Sequence, residues 1–576
     1  MHVDVIRNHQ KLADGSTREY RSQLLRRSYR DGEGTPRKET LANLSALPDD
    51  AVQVLRRVLR GETLVAADEA FTVERSMPHG DVAAVHAMAS KLGVKQLLGP
   101  EGRHRDLAYA LIISRVVRPT SKSSTWAWWA DSTLGADLGV ADAGRDEVYA
   151  AMDWVADRQA QIEAGLAKRH LTAGGIAMFD LSSSWVEGTK CPLAAFGHSR
   201  DGKRGRKQIE YGLLTNDRGI PVAIRVFPGN TSDPGSFPEA VRTVRDDFDL
   251  DRMVFVGDRG MITTTRIKEL RETPGFDWIG ALKAPQIAAL ARDDGPLQMS
   301  LFDEHNFAEF AHTDFPGERL IGCRNPALAT QRARKRTELL TATEANLTTI
   351  RTSVEAGRLT GADKIGIRVG KLINKHKVGK HFVLHITDTS LTWHRDDDKI
   401  NEEAHLDGLY VIRTSLHTDT LDAAGTITAY KNLALVERDF RVIKVDDLEL
   451  RPIWHYLENR VRAHVFLCML AAYLTRHLRD TLAELTFTDE HIPDRTDPVS
   501  PATRSPQAQA KDGRKHTPDG LAVTSFRNLL EHLKTLTRQT VNFAGQRIEK
   551  LTDPTPRQRR VFDLIGAPIP LALTPK

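Results

Sequence analysis

The stretch VFVGDRGM, residues 254–261, decides the expected fold class and raises the first chemical question. Its apolar residues predict a buried strand that ends at Gly257, and a carboxylate, Asp258, follows at once. An acid without a partner is not tolerated inside a buried strand, so Asp258 is expected at a strand end, where open α/β sheets bind their ligands. A second short strand, IAMF at 176–179, is predicted to end in Asp180 in the same way. Two carboxylates are therefore expected to converge at one edge of a sheet.

The segments around these two strands predict a mixed α/β sheet. Three strands, GGIAMFDLSSSW, QIEYGLLTN and PVAIRVFPG, follow one another, and helices then alternate with the strands MVFVGD and GFDWIGALK. After residue 284 the pattern breaks into a charged, irregular stretch with one long helix at about 326–357, which indicates an inserted domain. The core resumes with the strand GLYVIRTS and two helices, at about 426–444 and 452–478.

The sequence predicts, in order, a basic N-terminal segment, a helical region, the interrupted sheet and a C-terminal tail. Arginines crowd the first 50 residues, whose DGS and DGEG turns predict a β-hairpin. The expected segments are 1–50 for this basic hairpin region, 51–170 for a helical region, 171–284 for the first part of the core, 285–405 for the insertion, 406–482 for the second part of the core, 483–518 for a linker and 519–576 for a C-terminal helical tail.

The bulk composition excludes several classes of protein. The 576 residues carry a net charge of only +5, and the three cysteines lie far apart without CxxC spacing. A disulfide framework or a structural zinc site is therefore not expected, and a reducing cytoplasm fits. The most apolar helical segment, 463–474, is too short to span a bilayer, and the N-terminus has no signal-peptide character. We expect a cytoplasmic protein without a membrane partner.

A third carboxylate lies on the helix TAYKNLALVERDFRVIK. At about 100° per residue, Tyr430, Leu433, Glu437, Arg441 and Lys444 fall within an arc of about 80°, and the opposite face is apolar. Glu437 is thus expected on a polar stripe beside groups that can reach phosphate. Three carboxylates without a histidine or cysteine cluster favour Mg²⁺, for which Mn²⁺ can substitute. Two such ions, about 4 Å apart, stabilise the attacking and leaving oxygens of phosphoryl transfer.

These motifs resemble those of the DDE transposases of bacterial insertion sequences, within the insertion-sequence-4 type. That type carries the signature Y-(2)-R-(3)-E-(6)-K, which Tyr430, Glu437 and Lys444 match with its spacing intact. Leu433 stands at the arginine position, so the phosphate contact is either absent or supplied by Arg441 or Arg438. The sequences DLSSS at Asp180 and GDRGM at Asp258 match the two other motifs of the family.

The resemblance implies a ribonuclease-H-like core interrupted by an insertion domain, with an N-terminal region that recognises terminal inverted repeats. It implies catalysis by Asp180, Asp258 and Glu437 acting as ligands of Mg²⁺. The activity would be cleavage of DNA strands at the ends of the element and their transfer to target DNA. Such chemistry pairs two DNA ends, so a homodimer on double-stranded DNA, in the bacterial cytoplasm and associated with the nucleoid, is the expected assembly.

Basic and phenolic side chains near these motifs are the candidate DNA contacts. The residues proposed for this role are Tyr430, Lys444, Arg441, Arg259, Lys203, Arg204, Arg206, Lys371 and Lys375. The turn 198–207 is equally typical of a solvated hairpin tip, whereas the basic run 364–380 and the N-terminal arginines favour phosphate binding.

Other readings of the same residues stay open. The segment STWAWWAD is expected to pack helices rather than bases, and His455 and His464 are expected to be structural. One alternative function is that of a catalytically inactive, DNA-binding relative, which Leu433 at the arginine position favours. Another is a nuclease that does not join strands. A glycosidase is disfavoured, since aromatic residues make up only 6% of the chain and none flank the acids as a sugar platform.

Overall fold

The computed structural model describes residues 1–63, 71–292, 294–373, 375–493, 497–543 and 545–573. The gaps fall within the predicted helical region, insertion, linker and tail, and those parts of the expected segments lie outside the described residues. The chain divides into two compact units, Met1–Ser76 with Arg538–Lys550, and Met77–Thr537 with Leu551–Lys576. None of the helices in the described part of the chain is long and apolar enough to cross a bilayer.

The smaller unit is built from strands. An antiparallel sheet joins three of them, β1 (His2–Lys11), β2 (Thr17–Arg30) and β3 (Pro36–Asn43), and the helix α1 (Asp49–Leu59) follows. The predicted hairpin therefore carries a third strand, because Gly34 takes a positive φ of 82° and lets the chain turn back a second time. Several of its arginines form ion pairs across the sheet, such as Arg26 with Asp4 at 3.2 Å.

A second small sheet continues this unit with residues from both ends of the chain. The strand β4 (Phe71–Pro78) pairs with Thr537–Phe543, which in turn pairs with Gln546–Leu551. The expected C-terminal helical tail is thus only partly helical, because its two strands add to a strand that lies more than 400 residues earlier.

The larger unit begins with a layer of seven helices, which lie within the region that the apolar spacing predicted to be helical. They are α2 (Gly80–Lys91), α3 (Val94–Leu98), α4 (Arg103–Val117), α5 (Lys122–Trp129), α6 (Thr133–Asp137), α7 (Arg145–Asp157) and α8 (Gln159–His170). The expected core role of the tryptophans is confirmed for Trp128 and Trp129, which are buried. The indole of Trp129 donates to Ser114 Oγ at 2.9 Å and so ties α5 to α4.

The predicted mixed α/β sheet is present and has eight strands. They are β5 (Ile176–Trp185), β6 (Gln208–Asn216), β7 (Pro221–Pro228), β8 (Met253–Val256), β9 (Phe276–Ala281), β10 (Phe307–Phe310), β11 (Arg319–Arg324) and β14 (Leu409–Thr414). Their order across the sheet is β10-β11-β14-β9-β8-β5-β6-β7. The pairs β5–β8 and β8–β9 are parallel and the others antiparallel.

Helices connect the parallel strands, as crossovers require. The helix α9 (Asp233–Arg242) with a π-helical turn at Thr243–Asp247 lies between β7 and β8, α10 (Thr264–Arg271) joins β8 to β9, and α11 (Ala284–Leu290) follows β9. The sheet and its helices share one large apolar core with the helical layer.

The sheet extends further than predicted. The strands β10 and β11 lie within the expected insertion 285–405, yet β11 pairs with β14 and so belongs to the main sheet. Only residues beyond Arg324 leave it, as α12 (Pro326–Glu355), α13 (Ala362–Ile373), the hairpin β12 (Phe382–Ile386) and β13 (Leu391–Arg395), and α14 (Asp397–His405). These elements enclose a separate apolar cluster that includes Leu347 and Ile365.

The helix expected at about 426–444 is divided. It consists of α15 (Ala423–Lys431), α16 (Leu433–Arg441) and a π-helical turn, Val442–Asp446. The second expected helix is α17 (Glu458–Thr481), which packs against β7, α4 and α7. The expected linker contains α18 (Pro506–Arg514), and the chain ends with α19 (Phe526–Lys534) and α20 (Pro556–Ile565).

Candidate active site

Asp180 and Asp258 are brought together by the register of two strands. The parallel pairing of β5 with β8 ends at Met178 opposite Val256, and each aspartate follows two residues later. Side chains two residues apart on a strand point to the same face. The prediction that β5 ends at Asp180 is wrong, because the strand continues to Trp185 along β6. Asp180 nevertheless lies where β8 has stopped and the parallel side of β5 is open.

A tight turn fixes Asp258. Its Oδ1 accepts hydrogen bonds from the backbone N–H groups of Gly260 at 2.9 Å and Met261 at 2.7 Å. A Cβ on Gly260 would lie 3.3 Å from Asp258 Oδ1 and 3.2 Å from Asp233 Oδ2, so a larger residue would crowd both carboxylates. One oxygen of Asp258 is therefore held by the backbone, while Oδ2 is outside these two bonds.

Glu437 comes to the site on α16, which packs against β5. The helix buries Val436 and Phe440, and Glu437 itself is exposed, as the amphipathic pattern predicted. The ring of Phe440 meets the ring of Tyr211 on β6 edge to face, with centroids 5.7 Å apart. Tyr211 in turn bonds Ser184 of β5 at 2.9 Å between the two hydroxyl oxygens. The helix is thus anchored to the two strands beside Asp180.

The electrostatics of Asp180 show that the three acids share one region. Asp180 is partly buried, and its burial raises the pKa of the carboxyl from 3.8 to about 7. The charges of Asp258 and Glu437 both raise this pKa further, while Arg200 lowers it. Since Coulomb interactions of this kind weaken with distance, both other acids lie near Asp180. A cation among the three would relieve this mutual repulsion.

Tyr430 lies among the same charges. Burial raises the pKa of its phenol to about 12, and Asp258, Glu437 and Asp180 each raise it as well. The break between α15 and α16 at Asn432 does not carry Tyr430 away from Glu437. The phenol therefore stays protonated and can donate a hydrogen bond at neutral pH.

The donor set suits a hard cation, because it offers carboxylate oxygens and neither thiolate nor imidazole. In the described part of the chain, however, no three His, Cys, Asp or Glu side chains are gathered closely enough to hold a metal ion. Asp180 and Asp258 are fixed by their strands, whereas Glu437 is an exposed side chain on a helix surface.

Lys444 does not lie on the exposed stripe with Glu437. The π-helical turn Val442–Asp446 holds more residues per turn than an α-helix, so the 100° spacing no longer applies there. Lys444 is buried, and its Nζ donates to Asp201 Oδ1 at 3.0 Å. Arg451 donates to the same oxygen. The predicted contact of Lys444 with DNA is therefore not available in this conformation.

A second layer of charges beneath the acids was missed from the sequence. Arg200 donates to Glu210 Oε2 at 2.7 Å and also to Asp233, and its backbone N–H donates to Ser183 Oγ at 3.0 Å. Burial raises the pKa of Glu210 to about 7. Glu210 is an acid within the apolar strand QIEYGLL, and this interruption could have identified it from the sequence. No local sequence pattern identifies Asp233.

The other predicted DNA contacts are solvent-exposed. They are Arg259, Arg441, Lys203, Arg204, Arg206, Lys371 and Lys375. Arg206 pairs with Glu187 at 3.1 Å, and Lys203 Nζ lies 5.3 Å from the ring centroid of Trp185 at the end of β5. Arg259 directly follows Asp258. Because all seven side chains are exposed, a polyanion can reach each of them. Of these residues, Arg259 is next to one of the acids in the sequence.

Two family models match this chain. The one described as the transposase DDE domain matches residues 182–474, about half of the chain, and contains Asp258 and Glu437. The match begins two residues after Asp180. The other, described as the N-terminal domain of IS1634 family transposases, matches residues 7–70 and so names a different type from the insertion-sequence-4 type.

No curated protein matches the sequence. Among solved structures, a cryo-electron-microscopy structure of a piggyBac transposase synaptic complex with hairpin DNA is similar over 69% of this chain and 72% of that chain. The sequence identity is 8% and the TM-score is 0.33.

Proposed function

Because this chain belongs to the family of transposases with a DDE domain, we propose that Asp180, Asp258 and Glu437 are its catalytic carboxylates. The enzyme moves an insertion sequence by cleaving DNA strands at terminal inverted repeats and transferring them to target DNA. The observation that carries the assignment is the register of β5 and β8, which places Asp180 beside Asp258, while α16 packs Glu437 against β5. The charges of Asp258 and Glu437 both raise the pKa of Asp180. Three acids from separate elements would not share a field in this way on an ordinary solvated surface.

Each element contributes a distinct part to the proposed site. Asp180 and Asp258 would hold a divalent cation, with Glu437 completing its shell, and the backbone bonds of Asp258 keep that carboxylate from turning away. The family depends on divalent metal, and we propose Mg²⁺, with Mn²⁺ able to substitute. When bound, the metal stabilises charge on the attacking and leaving oxygens. Tyr430 would donate a hydrogen bond from its phenol to a phosphate oxygen next to the acids.

Two successive displacements at phosphorus account for the activity. Water attacks the phosphodiester at the end of the element, and the freed 3′-hydroxyl then attacks target DNA along the same line. Arg259 and Arg441, both exposed, are proposed to bind the phosphates of the strand, and Arg441 would supply the guanidinium that the side chain of Leu433 lacks. Leu433 itself packs against the apolar core.

The strand order supports a ribonuclease-H-like core. Three antiparallel strands, β7, β6 and β5, are followed by β8 and β9 in parallel with β5. We propose that β14, β11 and β10 widen this core, and that residues 326–405 form its insertion. The match of residues 7–70 supports recognition of the inverted repeats by the N-terminal part. A homodimer that pairs two element ends is proposed as the active assembly, and the insertion-sequence-4 type stays a proposal based on Tyr430, Glu437 and Lys444.

Cleavage and joining of labelled DNA test this function. Short inverted repeats flanking the coding region would supply the substrate, incubated with the full chain in Mg²⁺ or in a chelator. We expect nicked ends and joined products only with the metal. Cleavage without joined products would replace the transposase by a nuclease, and binding without cleavage would indicate an idle relative.

A further inference from the structure

One cavity, of about 330 Å³, is lined by several basic side chains. It lies in the larger unit between the start of α5, the loop that follows the π-helical turn, and α17. The residues that matter here are Arg115, Lys122, Tyr149, Trp454, His455 and His464. Its volume falls within the range of small-ligand sites, about 300–1,000 Å³. The catalytic proposal uses none of these side chains.

Two buried basic side chains line this cavity without a carboxylate partner. Arg115 is 6% exposed and Lys122 is 5% exposed. Arg115 donates to the carbonyl oxygen of Leu448 at 3.3 Å, and Lys122 Nζ lies 3.3 Å from His464 Nδ1. Across the described residues, neither side chain forms an ion pair with an acid. An arginine side chain cannot lose its proton in a protein, so the charge of Arg115 stays uncompensated.

The aromatic and imidazole rings beside these two side chains carry no negative charge. The rings of His455 and His464 lie 5.0 Å apart, and burial, with Lys122 and Arg115, lowers the pKa of His455 to about 3. Arg460 lies 4.4 Å from the ring centroid of Tyr149. The carboxylate in the lining, Glu449, is exposed. Such a lining attracts an anion, because an uncompensated buried charge is costly.

We propose that this cavity binds a phosphate group. Arg115 supplies positive charge, Lys122 supplies an amine, the exposed hydroxyl of Ser123 supplies a donor, and the first residues of the eight-residue α5 line the cavity. Binding would restore charge to the amine of Lys122, whose pKa burial and Arg115 lower well below its usual value. The phosphate can be free or part of a DNA strand, and the second source rests on the proposed function. For a strand, Trp454, 69% exposed, offers a surface on which a base can stack.

Calorimetric titration of the full chain with inorganic phosphate tests the site. Lys122→Met keeps the volume of the side chain and removes the amine, while Ser123→Asp changes an exposed residue and places a carboxylate at the cavity. We expect each variant to bind phosphate at least about tenfold more weakly. Lys168→Met, an exposed lysine on α8, is the matched control and should bind as the unchanged protein does. Equal affinity in all four proteins, or no binding to the unchanged protein, would overturn the proposal.

Competition with a short oligothymidylate separates the two sources of phosphate. If a DNA strand occupies the cavity, the oligonucleotide displaces phosphate, and Trp454→Ala weakens the oligonucleotide about fivefold to a hundredfold without affecting phosphate. If free phosphate is the ligand, the oligonucleotide does not compete, which supports the site and rejects the strand as its occupant. Asp258→Asn should bind phosphate normally. Loss of DNA cleavage with intact phosphate binding therefore marks a failure of the catalytic proposal alone.

Discussion

Asp180 and Asp258 stand at the same register of two parallel strands, each two residues beyond the last pair, Met178 and Val256. This relationship depends on the pairing of the two strands and on the turn that holds Asp258. It places the two carboxylates side by side, where their negative charges repel each other. Burial raises the pKa of Asp180, and the charge of Asp258 raises it further.

Asp258→Asn should lower the rate of end cleavage by at least about a hundredfold, since removal of a metal ligand takes away several kcal/mol of charge stabilisation. Asparagine keeps an oxygen that can accept from Gly260 and Met261, so the turn should survive. Binding of repeat DNA, measured by fluorescence anisotropy, should stay near normal. Asp251→Asn, an exposed aspartate before the same strand, is the control. Undiminished cleavage by Asp258→Asn would refute the assignment.

Asp180 should make stability depend on pH. The pKa of its carboxyl is raised from 3.8 to about 7 in the folded protein. The free energy of unfolding should therefore fall as pH rises from about 4 to about 7 and stay constant above that. The effect is at most about 4 kcal/mol. Asp180→Asn should therefore flatten the decline in the free energy of unfolding over this window, measured by urea denaturation. Added Mg²⁺ should stabilise the unchanged protein at pH 7.5 and not the variant; equal curves for both proteins would contradict the account.

Asp201→Asn should lower the free energy of unfolding by about 3–5 kcal/mol, because it leaves the buried Lys444 and the partly buried Arg451 without their counter-charge. The midpoint of denaturation in urea measures the change. Asp217→Asn, an exposed aspartate in another turn, should change stability little. If Lys444 instead contacts DNA, Asp201→Asn would leave stability intact and alter DNA binding alone.

Lys371→Glu combined with Lys375→Glu should weaken DNA binding and flatten its dependence on salt. Removing one phosphate contact reduces the slope of log K against log salt by about 0.9. Titrations at several salt concentrations give this slope, and Lys168→Glu serves as the control. A slope equal to that of the unchanged protein would remove residues 362–375 from the DNA interface.

The sequence predicted the parts of the site that local patterns determine. A carboxylate after an apolar run marked Asp258, and helical spacing marked Glu437 as the exposed residue of an amphipathic helix. The mixed sheet followed from the order of strands and helices. These features depend on a few neighbouring residues, so a single sequence carries them.

Long-range pairing explains the errors. Lys444 meets Asp201, 243 residues away, and no local pattern announces this contact. The π-helical turn that buries Lys444 breaks the regular spacing on which the prediction relied. The pairing of β11 with β14 likewise joins residues on both sides of the predicted insertion. Position within a strand was misjudged at Asp180, because the end of its neighbour β8, rather than its own end, creates the opening.

Asp180, Asp258 and Glu437 are proposed to bind one divalent cation together. Anomalous X-ray scattering from Mn²⁺ bound to the protein with DNA of the element end tests it most directly. We predict a peak with oxygens of Asp180 and Asp258 at about 2.2 Å and the Glu437 side chain turned toward the same centre. Mn²⁺ bound elsewhere, with these three carboxylates free of it in a complex that cleaves DNA, would contradict the account.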